Sequence, residues 1–567
     1  MVHCLPAIIA PMSNQQAPPK HVASWPFIST FVLLLLFLTA LYGSEIRFGL
    51  IWDDPEWFSR VVDKSFLELI RPYADYHFFR PGVMLFTSLF IKDDGTLAIY
   101  ILHWAQIGWY LINLALIFSI SRLVGFKRWA AFMVVMLSAF HPFVYQTVAW
   151  AAVNLTPATM VTNTAWLFYL KGRQSRGNGR SLRIGLLITS ILIFIIALSM
   201  NEGAVPLAAM PLVFEMAIRL QHGSRQDVLK SWQHPQQNGW LWPLAYLGAG
   251  FCFFVLWLVV PKAAGITNVN LDVNVLAYLL QGFVSVFASS WAAQWISNIG
   301  VLTAVWLGII FLLWTTAVYR KRGSLATAGL IWAILAILPG LVGLPFSYVT
   351  IAPRLFLMAL PGTAWLWVCA LWPAKSQRWS VTAVAGIAVL FIVATFGLYT
   401  TVGFKGLYAQ GTTHMDEMVT ALAEENGSYL FLNFPDRYRL KDEPLAVGYW
   451  GVTLAPVVVN LSEFPALLHG SEAQTISRSM PWLDEETRSK GPYVIDMRGV
   501  ITQPNELYQL AAAQKGIYVT RYDEAGNFTL RYAGSLSKWD GGECRTAIFD
   551  NTICLHSVQL IPAGDDL

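Results

Sequence analysis

LHWAQIGWYLINLALIFSISRLVGFKRWAAFMVVMLSAFHPFVYQTVAW, residues 102–150, decides the class of the fold. It holds two long apolar runs, and the connector SRLVGFKR (121–128) between them is basic. A helix that crosses a bilayer needs about 20 apolar residues, and Lys and Arg in short loops stay on the cytoplasmic side. The stretch therefore reads as two spans joined by a cytoplasmic turn.

The same reading extends over the chain. Of its 567 residues, 56% are hydrophobic and 13% charged, and the mean hydropathy is +0.51. Soluble domains carry about a quarter charged residues. Eleven spans are expected, at about 27–43, 97–120, 129–149, 152–170, 184–200, 204–219, 239–261, 299–318, 325–345, 355–373 and 379–401. Basic residues gather at every second connection: 121–128, 171–183, the stretch with Arg219, Arg225 and Lys230, 319–323 and 374–378. This places the N-terminus inside and the chain after 401 outside. The apolar stretch 275–297 is read as an interfacial or re-entrant helix, because a span there would carry the Arg-Lys-Arg at 320–322 outward. No cleavable signal peptide is expected; the first run reads as a signal anchor.

The expected organisation is a cytoplasmic leader (1–26), a transmembrane domain (27–401) with a long first outer loop (44–96), and an extracytoplasmic α/β domain (402–567). In the loop, the spacing of Trp57, Phe58, Val61, Val62, Phe66, Leu67 and Ile70 predicts a helix lying on the bilayer, and 80–91 predicts a second. In the last domain, 516–532 predicts a hairpin, and 414–425 and 504–515 predict helices. Cys544 and Cys554 are disulfide candidates if this domain is outside the cytoplasm; two free thiols are the alternative.

The candidate chemistry lies in the outer connections. Asp53 and Asp54 follow the first span; a carboxylate there suits a general base or a ligand for a divalent cation, and Asp54 before Pro55 equally suits a helix cap. Arg354 stands at the outer end of a span, where guanidinium suits a phosphate, or lipid headgroups. Arg80, His103, His141 and Glu202 also stand at outer ends of helices. There is no P-loop, no GxSxG elbow and no Cys/His cluster with metal-ligand spacing.

The order of these features resembles the GT-C superfamily of membrane glycosyltransferases, and most of all the branch of protein O-mannosyltransferases with tetratricopeptide repeats and their bacterial relatives. The resemblance covers about residues 27–375. It rests on the acid pair Asp53-Asp54, FFRPGVMLFTSLF (78–90) with Arg80 and Pro81, the second span with His103, AFHPFVYQTVAW (139–150) with His141 and Trp150, SMNEGAVPLAAMPLVFE (199–215) with Glu202, and APRLFLMALPG (352–362) with Arg354. The branch has Arg and Asp after its Val-Ala-Trp and Lys before its Glu; here Asn154, Thr156 and Asn201 stand in those places, and the repeats are absent.

The resemblance implies a GT-C-like helical membrane protein that moves a sugar from a polyprenyl phosphate to a glycan, lipid or protein acceptor outside the cytoplasm, with inversion. Asp53 is expected as base, with Asp54 as second carboxylate. Arg354, Arg80 and His141 are expected at the donor phosphate, Glu202 and His103 at the acceptor pocket. No cofactor is expected apart from a divalent cation, if one is used, held by the acid pair. The expected setting is a bacterial inner membrane, with membrane lipids as partners and no nucleic acid. A transporter or lipid-carrier translocase, and a polymerase or ligase using a lipid-diphosphate donor, are the alternatives.

Overall fold

The computed structural model describes residues 25–51, 54–72, 78–152, 154–175, 180–223, 225–232, 239–261, 272–284, 289, 292, 295–373, 380–423, 427–435, 437–439, 451–453, 467–468, 474–478, 493–494, 504–522, 528–535, 548–549 and 553–554. Asp53 and Cys544 therefore lie outside the described residues.

Residues Met1–Leu41 form one compact unit and Tyr42–Leu567 another. The first is built on the helix that begins at Trp25. It contains no charged residue between Trp25 and Tyr42, so hydrophobicity alone places it in a bilayer.

The chain is a multi-pass membrane protein. Among the described residues, nine helices are long and apolar enough to cross a membrane, and ten if one bent pair counts as a single span. They match the expected spans in order, with ends shifted by a few residues. Two of the expected eleven take a different form. Span 129–149 is the bent pair, Arg128–Ala139 and Pro142–Ala149, turned by 57°. Pro142 causes the break, because it has no N–H for the preceding turn and its ring blocks the helix before it. The expected span at 152–170 is the helix Leu155–Gln174, of 20 residues. Its buried Thr156, Thr159, Thr162 and Asn163 make it too polar to qualify by composition. It packs beside Arg180–Met200 and against Ile99–Val124, where Asn163 Nδ2 donates to Asn113 Oδ1 at 2.6 Å. Within the ambiguous stretch, Val273–Gln281 is a helix of nine residues, about 14 Å long and too short to cross.

A cluster of aromatic rings holds the centre of the second unit. Trp166, Trp332 and Trp365 are fully buried. Their rings meet edge to face, at 5.1 Å for Trp166–Trp332 and 5.3 Å for Trp332–Trp365. The indole N–H groups of two of them find acceptors: Trp332 reaches the Met358 carbonyl at 2.8 Å, and Trp365 reaches Ser121 Oγ at 2.9 Å. Beside them, Gly323–Gly343 and Leu360–Leu371 cross closely. A Cβ on Gly362 would sit 2.4 Å from the Gly329 carbonyl oxygen, so glycine is what permits the approach.

The basic connectors lie at one end of the helices and are tied down there. Arg173 and Arg219 both pair with the buried Glu215. Arg320 and Arg322 donate to the carbonyls of Leu371 and Trp372, the C-terminal end of a helix, where positive charge is favoured. The connections with the candidate site residues lie at the other end.

In the first long loop the second expected helix is present as Pro81–Ser88, and the first is broken in two. It forms Asp54–Ser59 and Phe66–Ile70, with Asp63 in the left-handed region (φ 56°) between them. Ser65 and Glu68 form a capping box that starts the second helix afresh. Phe66 and Leu67 are exposed on it, as suits a bilayer surface.

After the last span the chain does not pause. Val381–Ala423 is one helix of 43 residues, so the expected span and the expected helix at 414–425 are continuous, and the boundary drawn at 402 falls inside it. The strands that follow form a four-stranded sheet in the order Gln474–Arg478, Ser428–Leu432, Gly516–Tyr522, Phe528–Gly534. The first two pairings are parallel and the last is the expected antiparallel hairpin. Leu430, Leu432, Ala511 and Ile517 make its core, with the helix Pro504–Ala512 supplying Ala511.

Gly362→Val is expected to force the two crossing helices apart. Overpacking of this kind costs about 1–3 kcal/mol, and a thermal unfolding midpoint of the detergent-solubilised protein checks it.

Candidate active site

The connection from Trp150 to Asn154 crosses the end of the helices opposite the basic connectors, and the candidate residues converge on it. Asp54 opens the short helix Asp54–Ser59 and is fully buried. Its Oδ2 accepts from the Ile51 N–H at 2.8 Å, a turn of its own loop. Its Oδ1 accepts from the Ala152 N–H at 2.7 Å, across 98 positions. The carboxylate thus clamps the first loop to the connection, and both of its oxygens are engaged by backbone. Gln106 holds the same connection from the second span, donating to the Ala151 carbonyl at 3.2 Å.

Arg354 reaches it from the other side. It lies in the 3₁₀ segment Pro353–Ala359 and is 8% exposed. Its guanidinium stacks on the Trp150 ring, 4.2 Å from the centroid, an arrangement that suits the flat, delocalised cation. Nη1 donates to Gln146 Oε1 at 3.2 Å and Nη2 to the Tyr348 hydroxyl at 3.1 Å. Gln146 also accepts from the Arg354 backbone N–H at 3.2 Å and donates to the Ile351 carbonyl at 3.0 Å. One amide therefore fixes the backbone and the head group of Arg354 together.

Arg80 and Glu202 meet each other. The guanidinium makes two parallel bonds to the carboxylate, from Nε at 2.6 Å and Nη2 at 2.5 Å. Arg80 lies over the Phe78 ring, 4.1 Å from its centroid. The expectation had put the two in different roles, one at a donor phosphate and one at an acceptor pocket; the fork geometry makes them a unit. His141 caps the 3₁₀ turn at Pro142, with Nδ1 accepting from the Phe143 N–H at 3.3 Å. Its Nε2 donates to the Gly282 carbonyl at 3.1 Å, and its ring stacks on Phe356 at 5.6 Å. With one nitrogen accepting and the other donating to a carbonyl, the ring is in its neutral form. His103 is fully buried and donates through Nε2 to the Phe48 carbonyl at 3.0 Å. It ties the first loop to the second span.

Two of the three departures from the motif pattern touch. Asn201 Nδ2 donates to Asn154 Oδ1 at 3.2 Å, so a neutral amide pair occupies that corner. Thr156, the third, donates to the Thr147 carbonyl at 2.6 Å and serves the backbone.

A narrow cavity of about 20 Å³, room for little more than a water molecule, lies beside the Asp54 clamp. Trp57, Phe58, Phe86, Trp109, Ala152 and Asn154 are among its walls. It is mostly apolar. No group of three or more His, Cys, Asp or Glu among the described residues is arranged to hold a metal ion.

Sequence reasoning passed over Gln146, Tyr348 and Gln106. A lone amide within an apolar run, as at Gln146 in FVYQTVAW, is the signal that would have found the first.

No protein-family model matches this sequence, and no curated protein is similar to it. Among solved structures, it is similar to apo ArnT from Cupriavidus metallidurans, with a TM-score of 0.44 and 13% identity over 88% of this chain and 93% of that one. It is similar to the Archaeoglobus fulgidus oligosaccharyltransferase tethered to an acceptor peptide, with a TM-score of 0.43 and 12% identity over 91% and 75%. It is also similar to the arabinofuranosyltransferase AftD from Mycobacteria, with a TM-score of 0.37 and 13% identity over 80% of this chain and 32% of AftD. Likeness of this degree defines neither family nor activity for this chain.

Removing either half of the Arg80–Glu202 fork leaves the other half stranded in a site that is mostly closed to water. Arg80→Gln and Glu202→Gln are therefore expected to be strongly non-additive, with a coupling of about 1–3 kcal/mol. A double-mutant cycle on unfolding midpoints measures it.

Proposed function

We propose that this chain is a GT-C-type membrane glycosyltransferase that moves a sugar from a polyprenyl phosphate to an acceptor on the extracytoplasmic side. The observation that carries the reading is the convergence of the Asp54 loop and Arg354 on the two sides of Trp150–Ala152. Segments far apart in sequence build one site there, and they are the segments that carry the motif resemblance.

In this reading Arg354 holds the donor phosphate, its plane fixed by Trp150 and Gln146. The Arg80–Glu202 fork and His141 shape the walls around donor and acceptor. Asp54 holds the loop, and Asp53 beside it is the base. The Asp53 carboxylate takes the proton of the acceptor hydroxyl as that oxygen attacks the anomeric carbon. The bond from that carbon to the phosphate oxygen breaks, and the polyprenyl phosphate leaves with its new charge against Arg354. Attack opposite the leaving group inverts the anomeric centre. A fixed cation placed where that charge develops lowers the barrier to its departure. The site end faces out because the Arg- and Lys-rich connectors stay in the cytoplasm. The α/β domain lies on the acceptor side.

Asp53→Asn is expected to abolish transfer while donor binding persists, and Arg354→Gln to weaken donor binding. Turnover with polyprenyl-phosphate sugars, read beside glycolipid profiles of cells with and without the gene, checks both; full activity in both variants would sink the reading. The orientation has its own test. In a background without native cysteines, a cysteine at Lys64, which is exposed on the first loop, should react with an impermeant maleimide added outside. One at the exposed Lys321 should react only after the membrane is opened.

A further inference from the structure

The basic end of the helices holds a corner whose positive charge is only partly answered. Glu215 is buried there and accepts from two guanidiniums, from Arg219 through Nε at 2.7 Å and from Arg173 through Nε. Arg219 also lies over the Trp240 ring, 4.4 Å from its centroid. Arg173 gives only that one nitrogen; its two terminal nitrogens make no hydrogen bond with a described residue, and 21% of its side chain stays exposed. Arg183 belongs to the same corner. Its Nη2 lies 3.6 Å from the place a Cβ on Gly239 would take, so it rests on the turn that presents Trp240. Gly172, next to Arg173, packs on Leu187, one turn from Arg183. Among the described residues Arg183 has neither a hydrogen bond nor an ion pair. The helix Arg225–Trp232, whose Trp232 stacks on Trp240 at 4.2 Å, brings two more basic residues against one acid, Asp227.

The apolar surroundings fix the depth of this corner. Leu182 and Ile184, the sequence neighbours of Arg183, are exposed, and so are Leu241 and Leu244 at the start of Leu241–Val259, the helix packed beside Arg180–Met200. Exposed leucines at the end of a spanning helix face lipid, so the guanidiniums beside them stand at the level of the headgroups. A guanidinium is weakly hydrated and offers parallel donors that match phosphate oxygens. Basic corners between spanning helices are where anionic headgroups bind.

We propose that Arg173 and Arg183 bind the phosphodiester headgroup of an anionic phospholipid from the leaflet at this end, with its acyl chains along Leu182, Leu241 and Leu244. Arg219, held by Glu215 and Trp240, adds positive charge behind them. The corner lies at the opposite end of the helices from Asp54 and Arg354, so the inference does not rest on the glycosyl-transfer reading. A lipid seated there joins Leu155–Gln174, Arg180–Met200 and Leu241–Val259 and steadies their packing.

The probe is dioleoyl phosphatidylglycerol added to the full-length protein in detergent, with phosphatidylcholine of the same chains as the neutral control. Bound lipid is counted by native mass spectrometry, and unfolding midpoints are taken with and without lipid. Phosphatidylglycerol is expected to bind and to raise the midpoint, while phosphatidylcholine and inorganic phosphate leave it in place. Arg183→Gln is expected to weaken phosphatidylglycerol binding roughly tenfold, the worth of a hydrogen bond to a charged group. Its lipid-free midpoint is expected to stay, because Arg183 has no partner in the protein to lose. Lys127→Gln, at an exposed position of another basic connector, is expected to bind as the parent does. Equal responses to the two lipids overturn the proposal, and an equal response to inorganic phosphate overturns the lipid as occupant. An equal loss in Lys127→Gln overturns it too, since the attraction would then be spread over the whole basic end. So does a lowered lipid-free midpoint in Arg183→Gln, which would assign that residue to the fold.

Discussion

Between Ala149 and Leu155 the chain passes from one helix to the next at the end of the bundle, and the buried peptide groups there must find partners. They find them in distant segments. Ala152 gives its N–H to Asp54, Ala151 its carbonyl to Gln106, and Asn154 its side-chain oxygen to Asn201. Trp150, between them and Gln146, lays its ring under Arg354. Backbone groups buried without partners are costly, so this connection cannot be placed without recruiting the first loop and the second span. The demand for satisfied peptide groups is what assembles the site.

This assembly uses carboxylate and amide groups as struts. Asp54 spends both oxygens on backbone, Glu202 both of its own on Arg80, and Gln146 serves Arg354 and Ile351 at once. Rigid placement of this kind is what a site needs to act on charge that appears only briefly. Asn154 and Asn201 follow the same logic: two amides satisfy each other without a countercharge, so that corner is connected with no ion pair.

The spans were legible because little besides a bilayer calls for an apolar run of some 20 residues, and the alternation of basic connectors supports the count from a separate physical cause. Pro142 was visible too, but its effect depends on Phe143 and Gly282 giving His141 a place to turn. The helix Leu155–Gln174 was legible as a helix although its threonines lower its hydrophobicity, since they return their hydroxyls to carbonyls one turn back, as Thr159 does to Leu155 at 2.6 Å. The break in the first loop was written in Ser65 and Glu68, three apart. The apolar period around them hid it. The pairings at the site were not legible. Arg80 and Glu202 are 122 positions apart, and Gln146 and Arg354 are 208; no local pattern relates them.

The long helix has one more consequence. Gly397 lies so close to the break in the bent span that a Cβ there would come 1.9 Å from the Phe140 carbonyl oxygen. Tyr408 follows eleven positions later, about three full turns and so on nearly the same face. The two form a ruler, with one mark wedged against a neighbour and the other packed between Phe48 and Tyr145. Adding or deleting a single residue between them would swing Tyr408 through about 100°. The spacing of this stretch is therefore under constraint even where its side chains are free to vary.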